Sequence, residues 1–330
     1  SGPEVEFMAK IAIITSFMGE LRDRFCFYNQ PHGIVEKLEA VARVPGVAGV
    51  EMVYPYDFQD PELTVETLQR LHLEVAAVNV NVKGEREFAN GSLTSPDAAI
   101  RARAVEFIKG GMDAAAKLGC KRAHVCPLSD GHDYPFQADY IADWKRLRDC
   151  FVEAAKYRPD VTLSLEYKPN ETRVRSTLAG ALGAILLIKE TGAHNLGITI
   201  DIGHSLYGGE TPAQSLALMY HYGIKPYIHV NDNYRNWDWD LAPGSINPWD
   251  VMEFLWTAKQ NGYDDWYTMD VFPARMDPEA CFRASVKMLN GLLKAAGRID
   301  ARELAALRAD TNLAVPRVLE YIWEKAGWLG

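Results

Sequence analysis

Cysteine is scarce, and none of it is spaced for chemistry. The five thiols (Cys26, Cys120, Cys126, Cys150 and Cys281) are odd in number and form no Cys-x-x-Cys pair. That argues against a zinc ribbon, a dithiol redox centre or a disulfide framework, and for free thiols in a reducing cytoplasm. No apolar run approaches the ~20 residues that cross a bilayer. Positive charge is in deficit: 35 Lys and Arg stand against 44 Asp and Glu, a net charge of −9. Nucleic acid and anionic membranes bind clustered cations, so this balance speaks against both and suits a neutral substrate such as a sugar. Repeats, low-complexity tracts and linkers are missing too, and nothing marks a second domain. Residues 1–7 lack the apolar core of a signal peptide and read as a tail or expression scar ahead of Met8.

What the chain does have is alternation. Eight β-rich runs are separated by helical stretches: Lys10–Thr15, Ala48–Val53, Glu74–Val80, Arg122–Cys126, Val161–Glu166, Leu196–Asp201, Tyr227–Asn231 and Trp266–Val271. Most are continuous apolar runs, as parallel strands covered on both faces are. Ser95 and Pro96 read as the cap and first turn of a helix to Lys117, and Pro212–Tyr222 and Pro248–Gln260 open on proline in the same way. Eight such units predict a single (β/α)8 barrel over residues 8–298. Residues 299–330 form a C-terminal helical extension, with Asp300 and Glu303 spaced as a capping box. Its apolar stripe (Leu319, Ile322, Trp323, Ala326) covers either the barrel itself or a second subunit, the latter in a homodimer or homotetramer.

Active sites of such barrels lie at the C-terminal strand ends. Here the last four runs end in, or carry near their ends, Glu166, Asp201, His229 and Asp270. One polar strand end is an ordinary cap. Four converging on one mouth, three of them carboxylates, repel each other unless a cation neutralises them. Their oxygen and imidazole donors suit Mn, Mg, Co or Zn. His204, Asp238 and Asp240 offer a second site, with Asp201 bridging. Alternate residues of an extended loop face one way, so Asp238 and Asp240 can meet one ion; the other reading of Trp-Asp-Trp-Asp is a solvated acidic loop, which its tryptophans oppose. Lys168, two residues past Glu166, can reach a substrate oxygen, with Glu171 and Arg173 as its neighbours. Asn79, Asn81 and Lys83 either contact sugar hydroxyls or satisfy their own loop. His124 and His132 flank the fourth strand end, and His124, inside the strand, reads as a core histidine.

These residues fall into a known pattern. The stretch Glu166-Tyr-Lys168-Pro-Asn-Glu171-Thr-Arg173 resembles the Glu-Pro-Lys-Pro-Asn-Glu-Pro-Arg motif of xylose isomerases. Asp201-Ile-Gly-His204 is similar to their Glu-x-Gly-His, with the Asp found in rhamnose isomerases, and His229-Val-Asn-Asp resembles the rhamnose-type His-x-Asn-Asp. Asp238-Trp-Asp240-Leu resembles the Asp-x-Asp-Leu of the second metal site in both, and Asp270-Val-Phe-Pro-Ala-Arg275 the last xylose isomerase motif. The chain thus resembles the xylose isomerase-like barrels from about Gly46 to Arg275, with L-rhamnose isomerase and its relatives the nearest in pattern. Two features depart. Met52-Val-Tyr54-Pro-Tyr56 has no ring-opening histidine, and Cys126-Pro-Leu-Ser-Asp lacks the tryptophan that walls the xylose pocket.

The resemblance implies two divalent ions, Mn2+ first among the candidates, and a 1,2-hydride shift on a monosaccharide of xylose, rhamnose or apiose type. It makes Lys168, Asp240 and His204 catalytic. Asn79 and Lys168 bind the sugar directly, and Glu166 and Asp270 through the first ion. A ketose 3-epimerase is the main rival, against which Asp270 in place of Glu and the Asp238/Asp240 loop speak. An apurinic-site endonuclease needs further histidines and a basic groove, and a sugar-binding protein with a decayed site would not keep so full a ligand set.

Overall fold

The alternating runs close on themselves. The computed structural model describes residues 9–311 and 314–328, so the 1–7 tail, Met8 and the last two residues lie outside the described residues. Eight parallel strands form the barrel: β1 (Ile11–Ile14), β2 (Gly49–Tyr54), β3 (Glu74–Val80), β4 (Arg122–Val125), β5 (Thr162–Glu166), β6 (Leu196–Asp201), β7 (Lys225–Val230) and β8 (Tyr267–Met269). Each lies within two residues of its expected bounds. Closure comes where β1 pairs with both neighbours, Ile11 against Tyr267 and Ala12 against Gly49. The outer ring comprises α1 (Ile34–Ala42), α2 (Pro61–Leu71), α3 (Ala98–Lys117), α4 (Tyr140–Tyr157), α5 (Ala181–Thr191), the short α6 (Ile202–Tyr207), α7 (Pro212–His221), α8 (Pro248–Gln260) and α9 (Pro278–Gly297). Two more, α10 (Ala301–Arg308) and α11 (Ala314–Ala326), follow the last barrel unit.

The strands are less apolar than their sequences suggest. Side chains alternate across a strand, so one set faces the helices and the other the lumen. The outward set, such as Leu163 and Leu165 on β5 and Ile198 and Ile200 on β6, joins one continuous buried shell under the helices. A second, small cluster of buried apolar residues, Ala12, Ala76, Ala77, Tyr227 and Trp266, is separate from that shell. Above it the buried interior is polar: Glu51, His124, Ser164, Thr199, His229 and Thr268. Period two therefore turns polar residues inward along β5 to β7 and carries Glu166, Asp201 and His229 to the mouth.

Three local expectations change. The helix expected to start at Ser95–Pro96 starts at Ala98, because the Asp97 carboxylate accepts from Ala99 N at 2.8 Å and outcompetes the Ser95 hydroxyl as cap. The capping box at the tail is half made: Asp300 accepts from Arg302 N and Glu303 N, but its own amide donates to Tyr321 Oη at 2.9 Å rather than to Glu303. Of the two surfaces open to the tail stripe, its own barrel takes part of it, and Leu319 stays exposed. Trp323 lies 5.4 Å from the Trp249 ring of α8, Trp328 completes the cluster at 5.7 Å and 5.2 Å, and Ile322 is buried. Strand order had left the outer face of α8 out of account.

Loops above the barrel are tied by a buried acid. Asp130, past β4, accepts from Ser92 N at 2.9 Å, Ser92 Oγ at 2.6 Å, Thr94 N at 2.6 Å and Thr94 Oγ1 at 2.7 Å in the loop past β3. Removing the acceptor strands those donors out of water. Asp130→Ala is expected to cost roughly 2–3 kcal/mol, read as a lower urea midpoint at unchanged slope. An unchanged midpoint would mean that the two loops are held by their other contacts.

Candidate metal centre

Two groups of ligand-type atoms meet at the mouth and share one residue. Glu166, Asp201, His229 and Asp270 place one atom each within 4.8 Å of all the others. His229 Nδ1 stands 3.1 Å from Asp270 Oδ2 and 3.4 Å from Glu166 Oε1. Asp201, His204 and Asp238 make the second group under the same limit. There His204 Nε2 lies 3.2 Å from Asp238 Oδ2, while its Nδ1 lies 3.0 Å from the Tyr167 carbonyl. A carbonyl only accepts, so Nδ1 carries a proton, and Nε2 is the nitrogen left to face a cation or, without one, to donate a second proton to Asp238. Glu166 Oε1 and Asp238 Oδ1 are buried and have no hydrogen-bond partner. Buried oxygens are nearly always satisfied, and a divalent cation between the groups would satisfy both. The donor set of carboxylates and imidazoles therefore fits such an ion.

The electrostatics say the same. Two carboxylates at 4.8 Å or less repel by about 3–4 kcal/mol at an effective dielectric of about 20. Burial and then the Asp270, Asp238 and Glu166 charges push the Asp201 carboxyl up to about 7, against the pull of His204. Asp240 rises well above the carboxylate range, again through burial first and then Asp238 and Asp270. Burial would raise Asp238 as well, but His204 and Lys168 hold it below its ordinary value. The same contest drives His204 the other way: its burial is outweighed by Asp201, Asp238 and Glu166, and it rises to about 9. Without a cation, then, protons and Lys168 must neutralise the acids.

Local sequence explains how Asp201 is aimed. It caps α6, its Oδ1 accepting from His204 N at 2.9 Å. Asn231 Nδ2 then grips both carboxylate oxygens at 3.1 and 2.9 Å. Asn231 is itself held by Gly203 N, which donates to its Oδ1 at 2.8 Å. A Cβ on Gly203 would stand 2.7 Å from that oxygen, which is why the Asp-x-Gly-His stretch needs glycine here. Asp232 anchors the long loop beyond: it accepts from Ile246 N, Asn247 N and Asn247 Nδ2 at 2.6–2.8 Å. Thus each residue from His229 to Asp232, Val230 aside, has a polar task at the mouth.

Other expected residues are redistributed. Lys168 is buried, 2.7 Å from Asp238 Oδ2 and paired with Glu171. Arg173, expected beside it, is exposed and reaches only Asp133, because the short antiparallel strands at 170–176 carry it away. Asp240 is near the second group but outside its 4.8 Å circle. The loop is not extended there: Asp240 has a φ of 48°, a left-handed kink that breaks the two-residue alternation. Its Oδ1 accepts from Asn231 Nδ2 at 3.2 Å. Trp237 packs on Tyr207, whereas Trp239 is exposed, so only one of the two tryptophans is covered. The Asn79 amide nitrogen is given to Glu51 Oε1 at 2.8 Å, and Asn81 caps its own turn at Lys83 N and Gly84 N. His132 stacks on Tyr140. His124 is buried, as expected of a core histidine, but its surroundings are polar: Nε2 lies 2.9 Å from Glu166 Oε2. Glu51 was overlooked altogether, although a lone charge inside the run Ala48–Val53 signals a buried carboxylate that must have partners.

Residues 38–292 match the family model described as xylose isomerase-like TIM barrel. Among curated proteins, the xylose isomerase of Thermus thermophilus is 26% identical over 221 residues, 65% of this chain and 57% of that protein. That of Roseobacter denitrificans is 25% identical over 260 residues, 75% of this chain and 57% of that protein. The chain thus spans a little over half the length of these relatives. Among solved structures, a D-tagatose 3-epimerase-like protein superposes with a TM-score of 0.69 at 20% identity, covering 87% of this chain and 98% of that one. An L-ribulose 3-epimerase gives 0.68 at 21% identity, covering 92% and 99%. At such identities the likeness is one of fold. No helix among the described residues is long and apolar enough to cross a membrane.

A cation that binds only the folded mouth stabilises the protein. Mn2+ at a hundred times its dissociation constant is expected to add about 2.7 kcal/mol per independent site, read as a rise in Tm that chelation reverses. Asp201→Asn should abolish most of the rise because both groups use it, and Glu166→Gln only part. Equal losses from the two variants would show that Asp201 is not shared.

Proposed function

We propose that this chain, which belongs to the xylose isomerase-like TIM-barrel family, is a metal-dependent aldose–ketose isomerase working by a 1,2-hydride shift on a small monosaccharide. One observation carries the reading: a second acid-and-imidazole group, Asp201, His204 and Asp238, adjoins the first and has buried Lys168 against it. Exchange of a proton at one sugar carbon needs a base and one ion; a second group has work to do only where an oxygen must also lose its proton without a carbon base.

Glu166, Asp201, His229 and Asp270 would hold the first ion, and Asp201, His204 and Asp238, with Asp240 beside them, the second. Divalent ions so placed supply a Lewis acid to sugar oxygens and lower the pKa of water; Mn2+ suits the mixed oxygen and nitrogen donors best, with Mg2+, Co2+ or Zn2+ as alternatives. The chain's own groups do the rest. Lys168 donates to the oxygen at C1 as negative charge gathers there, inside a dry pocket where a fixed ammonium acts most strongly. Its partners Asp238 and Glu171 keep it charged, raising it well above the usual lysine value against the effect of burial. Asp240 takes up the proton that leaves the oxygen at C2, while His204 keeps the neighbouring Asp238 in place. The electron pair of the C2–H bond moves with its hydrogen to C1, the carbonyl passes from C1 to C2, and the C1 oxygen regains a proton.

A ketose 3-epimerase is the second reading. It draws on Asp240 lying outside the second group, because the first group alone suffices for one-ion proton exchange. An aldose carrying deuterium at C2, turned over in ordinary water, separates the two. Hydride shift keeps the label at C1 of the ketose, whereas an enediolate loses it to solvent. Complete washout would overturn the isomerase scheme. Lys168→Met is expected to lower kcat about 10²–10³-fold with little change in KM; a change in KM alone would reduce Lys168 to a binding group.

A further inference from the structure

Beneath the first ligand group lies a carboxylate that no step above uses. Glu51 is wholly buried on β2, where a charge without partners is strongly disfavoured. Both of its oxygens are engaged. Oε1 accepts from Asn79 Nδ2 at 2.8 Å, and Oε2 from Tyr227 Oη at 2.7 Å and His229 Nε2 at 3.0 Å. His124 Nδ1 stands 3.3 Å from Oε1.

A carboxyl group that receives Asn79 Nδ2 on one oxygen and Tyr227 Oη on the other acts as an acceptor, so the proton facing it belongs to His229 Nε2. The other nitrogen, Nδ1, is the one aimed at Asp270 Oδ2 and Glu166 Oε1. His124 completes a second arm, with one ring nitrogen beside Glu51 and the other 2.9 Å from Glu166 Oε2. One side chain thus touches, directly or through one ring, two of the four residues of the first group. We propose that Glu51 is a positioning residue: by accepting from His229 Nε2 and steadying His124 against Glu166, it holds the tautomer and ring orientation in which the first group binds a divalent cation. This rests on the reading that the first group holds one. Glu51, His124 and His229 also lie close enough to hold an ion themselves, but Asn79 and Tyr227 already donate to the carboxylate, and an inner ion would have to displace them.

The test is Co2+ titration of the metal-stripped full chain by calorimetry and visible absorption, for wild type, Glu51→Gln and Asp238→Asn. The site that survives Asp238→Asn identifies the first. Glu51→Gln is expected to weaken that site about 10–100-fold, leaving the other within about threefold. First-site affinity equal to wild type, with normal folding by circular dichroism, overturns the proposal. So does a third bound equivalent that Glu51→Gln removes. Should Glu51→Gln fail to fold, the wild type decides: in the Zn2+-loaded chain, nitrogen NMR is expected to find His229 protonated at Nε2, and a proton on Nδ1 overturns the proposal. Failure of the wild type to bind any divalent ion would sink the metal-centre reading and this one together, which unchanged affinity in the variant alone would not.

Discussion

Everything at the mouth answers to one constraint, the crowding of buried carboxylates around Asp201. Like charges at these separations repel by several kcal/mol each, a sizeable part of a domain's whole stability. The chain tolerates the cost because the acids are interleaved with groups that oppose it. His229 and His204 stand between acids, Lys168 lies against Asp238, and Asn231 donates to both oxygens of Asp201 and to Asp240. One oxygen in each group, Glu166 Oε1 and Asp238 Oδ1, is still left without a hydrogen-bond partner.

The barrel makes that crowding possible. Parallel closure brings strand ends that are far apart in the chain onto one ring, and in-register pairing sets Asp201 directly beside His229. The helices need no special chemistry for this: the apolar shell they cover is ordinary core, and its many buried aliphatic side chains offset the polar lumen. Support for the ligands comes from the next layer instead. Gly203 leaves room for Asn231, Tyr167 fixes His204 through its carbonyl, and Glu51 stands beneath His229.

Much of this was legible in the residues. Glu166, Asp201, His229 and Asp270 could be named because a strand that ends in a polar residue delivers it to a known place, whatever the loops do. Asp201 could be read as shared because His204 follows it on the next turn. Asp240 stands outside the second group for a local reason, a left-handed backbone that alternation along a loop does not foresee. Arg173 and Asn79 went astray because nearness in sequence was taken for nearness to the site.

Period and strand count therefore determined the barrel, and residue type at strand ends determined which acids and imidazoles gather at the mouth, since both depend only on backbone geometry that every parallel strand shares. Which inward residue meets which was a matter for tertiary structure alone. Glu51, His124 and His229 come from three strands with no spacing that links them, yet closure sets a nitrogen of each ring within 3.3 Å of the Glu51 carboxylate. Such contacts run across the lumen, and their distances follow from the tilt and register of the whole ring, which no window of sequence contains.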